Sequence, residues 1–168
     1  MLSHLRSVAR YLQVPQELTD EAFGRGNRSE DNGKPCRFSF SDIWLEPQKQ
    51  PITRIRIDHF TGGVMTGGLF RAEPLTSRME AEICGPQGQD AACALMLFAL
   101  RDLGLGLYKL GSGWSVGWGL PRVKQITANQ GSRRLTLKFT ENNTIELEDP
   151  DGLAAQWKQA LGGVCHAE

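Results

Sequence analysis

No apolar run in this chain is longer than the ten residues from Ala91 to Leu100. A bilayer-spanning helix needs about 20, so no transmembrane segment is expected, and no charged-then-apolar leader opens the sequence. Cysteine is sparse and scattered: positions 36, 84, 93 and 165 never come closer than nine residues. That spacing excludes the CxxC pairs of zinc and dithiol redox centres, and points to a reduced, cytoplasmic protein whose cysteines are buried apolar residues. His4 and His166 have no Cys or carboxylate at ligand spacing, so no metal site is expected. A Walker A ending is missing, and the main glycine-rich stretch follows a helix and precedes a strand. The Rossmann turn has the reverse order, so neither nucleotide motif applies. Net charge is also absent, at 19 basic against 19 acidic residues.

What is present describes a globular chain. Its 168 residues, 40% hydrophobic and 23% charged, fit one domain with a short appendage. The neutral total hides an uneven distribution. Residues 103–140 carry Lys109, Arg122, Lys124, Arg133, Arg134 and Lys138 and no acid, whereas residues 141–168 carry six acids against Lys158. Such asymmetry is a hint of a nucleic-acid surface.

Leu2, Leu5, Val8, Ala9 and Leu12 recur at helical spacing and predict a first helix ending before Pro15. The stretch from Phe23 to Lys34 reads as loop. Strands are expected at 37–45, at 52–57, where the isoleucines would face a core and Arg54 and Arg56 the other side, and at 77–84. Between the last two, residues 58–70 hold two Gly-Gly pairs and read as a hairpin loop. Gln89 to Leu103 is a helix stopped by Gly104. Strands at 122–127, 135–139 and 144–147 follow, and Asp149-Pro150-Asp151 opens a final helix. The order is that of an α+β sandwich, and with one strand added before the first helix it becomes βαββαβ, a ferredoxin-like core.

The densest feature is LGSGWSVGWG, residues 110–119. Glycines 111, 113, 117 and 119 would let main-chain N–H groups approach phosphates. Ser112 and Ser115 add donors, Trp114 and Trp118 add stacking faces, and Lys109 and Arg122 add charge. The alternative is a tight connection whose tryptophans fill the core.

Four collinear stretches carry a resemblance to a family: LSHLRSVARYL, AFGRGNRSEDNGKPCRFSFSDIWLEP, RIRIDHFTGGVMTGGLFRAEPL and ALMLFALRDLGLGLYKLGSGWSVGWG. Across residues 2–127 these resemble the RAMP superfamily, whose members form the backbone of type III CRISPR effector complexes. The resemblance implies a ferredoxin-like, RNA-recognition-motif-like domain over residues 1–128, without the usual first strand; residues 129–168 lie outside the resemblance and read from their own pattern as a β-hairpin and helix extension. It implies that the protein binds CRISPR guide RNA, meets target RNA and other effector subunits, and forms a ribonucleoprotein serving antiviral defence. RNA contacts are then expected from Ser3, Arg6, Arg54, Arg56, His59, Lys109, Gly111, Ser112, Gly113, Trp114, Ser115, Gly117, Trp118, Gly119 and Arg122. A thumb hairpin is expected at 58–70, carried by Thr61, Gly62, Gly63, Val64, Met65 and Phe70, with Val64 or Met65 as wedge.

The resemblance also bears on chemistry. Family members that cleave target RNA do so with an aspartate in a loop upstream of the first helix, where this chain starts. No catalytic residue, membrane contact or cofactor is therefore expected, with Mg²⁺ or Mn²⁺ needed only if the complex cleaves RNA. Two alternatives stand beside this reading. One is a metal-dependent cleaving subunit with Asp58 as the remaining candidate, although Asp58 and His59 are neighbours in a strand and would point to opposite faces. The other is an α+β interaction module with structural glycine loops.

Overall fold

The structure is a computed structural model and describes residues 1–26, 33–46, 48–111, 117–142 and 144–165. Its elements are α1 (Leu2–Tyr11), α2 (Gln16–Phe23), β1 (Ser39–Phe40), β2 (Gln48–Lys49), β3 (Ile52–Ile57), β4 (Val64–Ala72), β5 (Leu75–Thr76), β6 (Ile83–Cys84), α3 (Asp90–Gly104), β7 (Gln125–Gln130), β8 (Arg133–Phe139), β9 (Ile145–Glu148) and α4 (Leu153–Cys165). Among the described residues the strands pair as β1 with β6, β2 with β5, β3 with β4, and a three-stranded sheet ordered β7-β8-β9. The chain divides into two compact units, Met1–Ser39 with Ile83–Glu168, and Phe40–Glu82.

The first unit is built on α3. Ala91, Ala92, Ala94, Leu95, Met96 and Ala99 are buried there against Leu5 and Ala9 of α1, Leu135 and Leu137 of β8, and Leu153, Trp157 and Leu161 of α4. Four alanines on one helix let its neighbours approach closely, and each fully buried leucine contributes about 1.5–3 kcal/mol. β8 and α4, which come from residues 129–168, thus share one core with α3. A polar knot joins the same elements: Asp90 accepts from Gln130 Nε2 (2.7 Å) and Gln156 Nε2 (2.6 Å), and Trp157 Nε1 donates to Gln130 (3.0 Å). Asp149 caps α4, accepting from the Leu153 and Ala154 amides at 2.8 and 3.0 Å.

Several sequence expectations need correction. Helix α2 was not among them; its signal was Pro15 just ahead of it, with Thr19, Ala22 and Phe23 buried on one side. The strand expected at 37–45 is only Ser39–Phe40, because Phe38 turns inward to stack on Phe23 (5.0 Å between centroids) while Ile43, Trp44 and Leu45 stay exposed. The strand expected at 77–84 is reduced to Ile83–Cys84, since the alternating side chains before it meet no layer and Met79 is exposed. The strand expected at 122–127 lies at Gln125–Gln130, so Arg122 precedes it. Cys36 and Cys84, expected to be buried, are exposed.

In the second unit β3 and β4 form a two-stranded antiparallel ribbon. Ile52, Ile55 and Ile57 do not face a core, because a two-stranded ribbon has no second layer to cover them; they are 38–54% exposed. The hairpin loop is shorter than expected. Gly62-Gly63 lies in the turn, whereas Gly67-Gly68 lies inside β4 beside a register shift between Ile55 and Ile57.

Candidate nucleic-acid interface

The end of α3 and the chain that follows lead into the glycine-rich loop. The Leu105 amide donates to Arg101 O and the Leu107 amide to Asp102 O, which closes the helix. Tyr108 then stacks on His4 of α1, with ring centroids 4.2 Å apart. His4 Nε2 lies 2.9 Å from Asp102 Oδ2, and the other oxygen of this buried carboxylate accepts from Arg101 at 2.6 and 3.0 Å. The Tyr108 hydroxyl is buried without a partner among the described residues. Burial, and secondarily the Asp102 charge, push its pKa up to about 12. One side of the loop is therefore fixed to both α1 and α3.

The loop is closed at its neck, where the Leu110 amide donates to Gly119 O (2.8 Å). Gly119 has φ +77°, and a Cβ there would collide with the Leu110 carbonyl oxygen. Gly111 and Gly117 also have positive φ, but open space surrounds them. Ser112, Gly113, Trp114 and Ser115 lie outside the described residues. Arg122 is exposed beyond the neck, and Lys109 and Trp118 are partly exposed. Ser3 is exposed on α1, whereas the Arg6 guanidinium donates to Gly24 O (2.8 Å) and so ties α1 to the chain after α2.

The ribbon of the second unit presents two unlike faces. Arg54 pairs directly across from Phe70, and Arg56 lies beside Gly68, so two guanidinium groups and an aromatic ring share one face. Ile55 opposite Leu69 belongs to the other face. At the tip, Asp58 Oδ1 accepts from the Phe60 and Thr61 amides, both at 2.8 Å, and Gly63 N donates to Thr61 Oγ1. Those two amides hold the Asp58 carboxyl below its usual pKa. The carboxylate thus organises the turn. His59 is exposed and Phe60 is fully so, while Val64 and Met65 begin β4. The exposed tip residue, Phe60, was not singled out from the sequence; an aromatic in a turn between an Asx cap and Gly-Gly is the signal that could have found it.

Among the described residues no three His, Cys, Asp or Glu side chains cluster to hold a metal ion, and no helix is long and apolar enough to cross a membrane. The RAMP superfamily model matches residues 2–124. The chain belongs to the RAMP superfamily. A search of the curated proteins finds no match. RAMP proteins are CRISPR-associated RNA-binding proteins that bind CRISPR RNA and other Cas subunits. The four helices and small antiparallel sheets are consistent with the ferredoxin-like RAMP fold. The matched region contains the loop neck, the His4–Asp102 pair and the whole β3–β4 ribbon of this RAMP chain.

Proposed function

We propose that this RAMP chain is a guide-RNA-binding backbone subunit of a type III CRISPR effector, working in the cytoplasm and cutting no RNA by itself. The observation that carries the reading is the closed neck at Leu110 and Gly119, which holds a glycine loop beside Lys109 and Arg122. Open glycine backbone and flanking cations suit a phosphate chain. The Arg54, Arg56 and Phe70 face and the Phe60 tip support a second role, in which the ribbon acts as a thumb against the guide–target duplex. The involvement of Asp58 in its own turn supports a non-catalytic chain.

The test is purification of the protein with its genomic neighbours and a CRISPR array. Repeat-derived RNA should co-purify, and Arg122→Ala should reduce the salt dependence of binding by about 0.7 in log–log slope per lost phosphate contact. Phe60→Ala should leave the melting temperature unchanged, since a fully exposed side chain contributes little to stability, but should alter the chemical-probing periodicity of the guide. Absence of RNA, or binding indifferent to salt, would sink the reading. Specific cleavage by the isolated chain in Mg²⁺ would refute its non-catalytic part.

A further inference from the structure

The sheet β7-β8-β9 lies outside the matched region, and its two faces differ. Leu135 and Leu137 point into the core. The opposite face carries Gln125, Thr127 and Asn129 on β7, aligned with Lys138, Thr136 and Arg134 on β8, and Glu148 and Glu146 on β9, aligned with Thr136 and Lys138. A groove of about 420 Å³ opens on it, lined by Gln125, Arg134, Thr136, Lys138, Glu148 and Pro150. That volume lies within the ordinary range of small-ligand sites, about 300–1,000 Å³.

Three features distinguish this groove from a merely solvated sheet face. Thr136 is only 6% exposed, and the surface it keeps lies in the lining of the groove. Arg134 is fixed through its backbone, its amide donating to Asp151 Oδ2 at 3.0 Å, while its guanidinium has no side-chain partner among the described residues. Lys138, by contrast, is taken by Glu148 at 2.5 Å. One uncommitted cation matches one phosphate, and Glu146 and Glu148 would repel a polyphosphate. Glu148, which holds Lys138 through Oε1, and the Gln125 amide, whose Nε2 donates to Thr127 Oγ1 (2.9 Å), each have a further oxygen that can accept from donors on a base edge, as side chains of these types do on nucleic acids.

We propose that this groove binds one nucleotide unit. Its phosphate sits on the Arg134 guanidinium and the Thr136 hydroxyl, and its base edge meets Glu148 and Gln125. The unit is either a free mononucleotide or one residue of a single-stranded RNA. The site is independent of the glycine loop, so it stands or falls apart from the guide-RNA reading.

Amide-resolved NMR of the full chain tests it, with GMP, CMP, UMP, a short single-stranded RNA and inorganic phosphate as probes. Saturable shifts at Gln125, Arg134 to Lys138 and Glu148 are expected. Arg134→Ala should weaken binding about tenfold, as loss of a hydrogen bond to a charged group does. Glu148→Gln should erase a preference for GMP and CMP over UMP. Mononucleotides binding as well as RNA would identify a free ligand; RNA alone would identify a strand crossing the face; both support the site. Should Arg134→Ala disturb the spectrum globally, the near-isosteric Thr136→Val carries the same test. Inorganic phosphate matching the nucleotides would overturn the proposal, as would no shift at these amides. Shifts confined to Gly111 and Gly117 would overturn it while leaving the glycine-loop reading intact.

Discussion

Replacing Gly119 with alanine tests whether the neck governs the loop. The new methyl would meet a carbonyl oxygen, that of Leu110, and no flexible side chain can move aside. The molecule must then both hold alanine at a left-handed φ, now +77°, and open the neck. The first costs about 1–2 kcal/mol in left-handed backbone strain; the second forfeits the Leu110–Gly119 hydrogen bond, about 1 kcal/mol. Because relief of the collision requires both a strained residue and a loosened neck, the total is about 2–3 kcal/mol. For a chain of this size each kcal/mol lowers the melting temperature by roughly 2–4 °C, giving a drop of about 5–10 °C by circular dichroism. Gly117→Ala is the control. Its φ is +89° but nothing lies near its Cβ, so it should show only the strain, about 1–2 kcal/mol. RNA affinity should follow the same order, with Gly119→Ala weaker than Gly117→Ala. Equal melting temperatures and equal affinities for the two variants would refute the claim that the neck holds the loop.

Asp58 gives the ribbon tip a pH dependence. Its carboxyl is held below the ordinary 3.8 by the Phe60 and Thr61 amides, so the stabilisation is complete above that value and is lost as pH falls through the lowered one. Exchange protection of those two amides should be acid-labile in the wild type and absent at all pH values in Asp58→Ala. Asp149→Ala removes the cap of α4 and should cost about 1 kcal/mol by urea denaturation; no change would mean the cap is dispensable. Asp102→Ala leaves His4 and Arg101 without their shared buried acceptor and should cost about 3 kcal/mol. It should also broaden the resonances of Tyr108 and Lys109, and sharp lines there would argue against His4 anchoring the loop.

The helices that the sequence revealed are those whose one-sided apolar spacing is answered by a real core. Leu5 and Ala9 of α1, Leu95 and Ala99 of α3, and Leu153, Trp157 and Leu161 of α4 all meet partners in the first unit. The same logic failed in the second unit for a physical reason. The isoleucines of β3 and the alternation at 77–84 have the pattern of half-buried strands, but among the described residues of that unit no second layer lies against them. A pattern states which side is apolar and is silent on whether anything lies against it. The candidate site divides in the same way. Lys109, Arg122 and the glycines were legible because their residue types are rare in such density, whereas the His4–Asp102–Tyr108 cluster joins positions up to 104 residues apart, and no local spacing announces it.

The uncovered second unit also bears on how the protein exists before it assembles. Of the nineteen large apolar side chains exposed among the described residues, fourteen lie between Phe40 and Met79. A two-stranded ribbon is marginal in water on its own, and a display of this kind is a site of self-adhesion until something covers it. An unassembled copy is thus the vulnerable form: it should bind hydrophobic dyes, be nicked by protease within 40–82 and accumulate poorly when synthesised alone. The cell then has a reason to make it in step with what covers it, because the same residues that expose the lone copy to degradation go out of reach once they are covered.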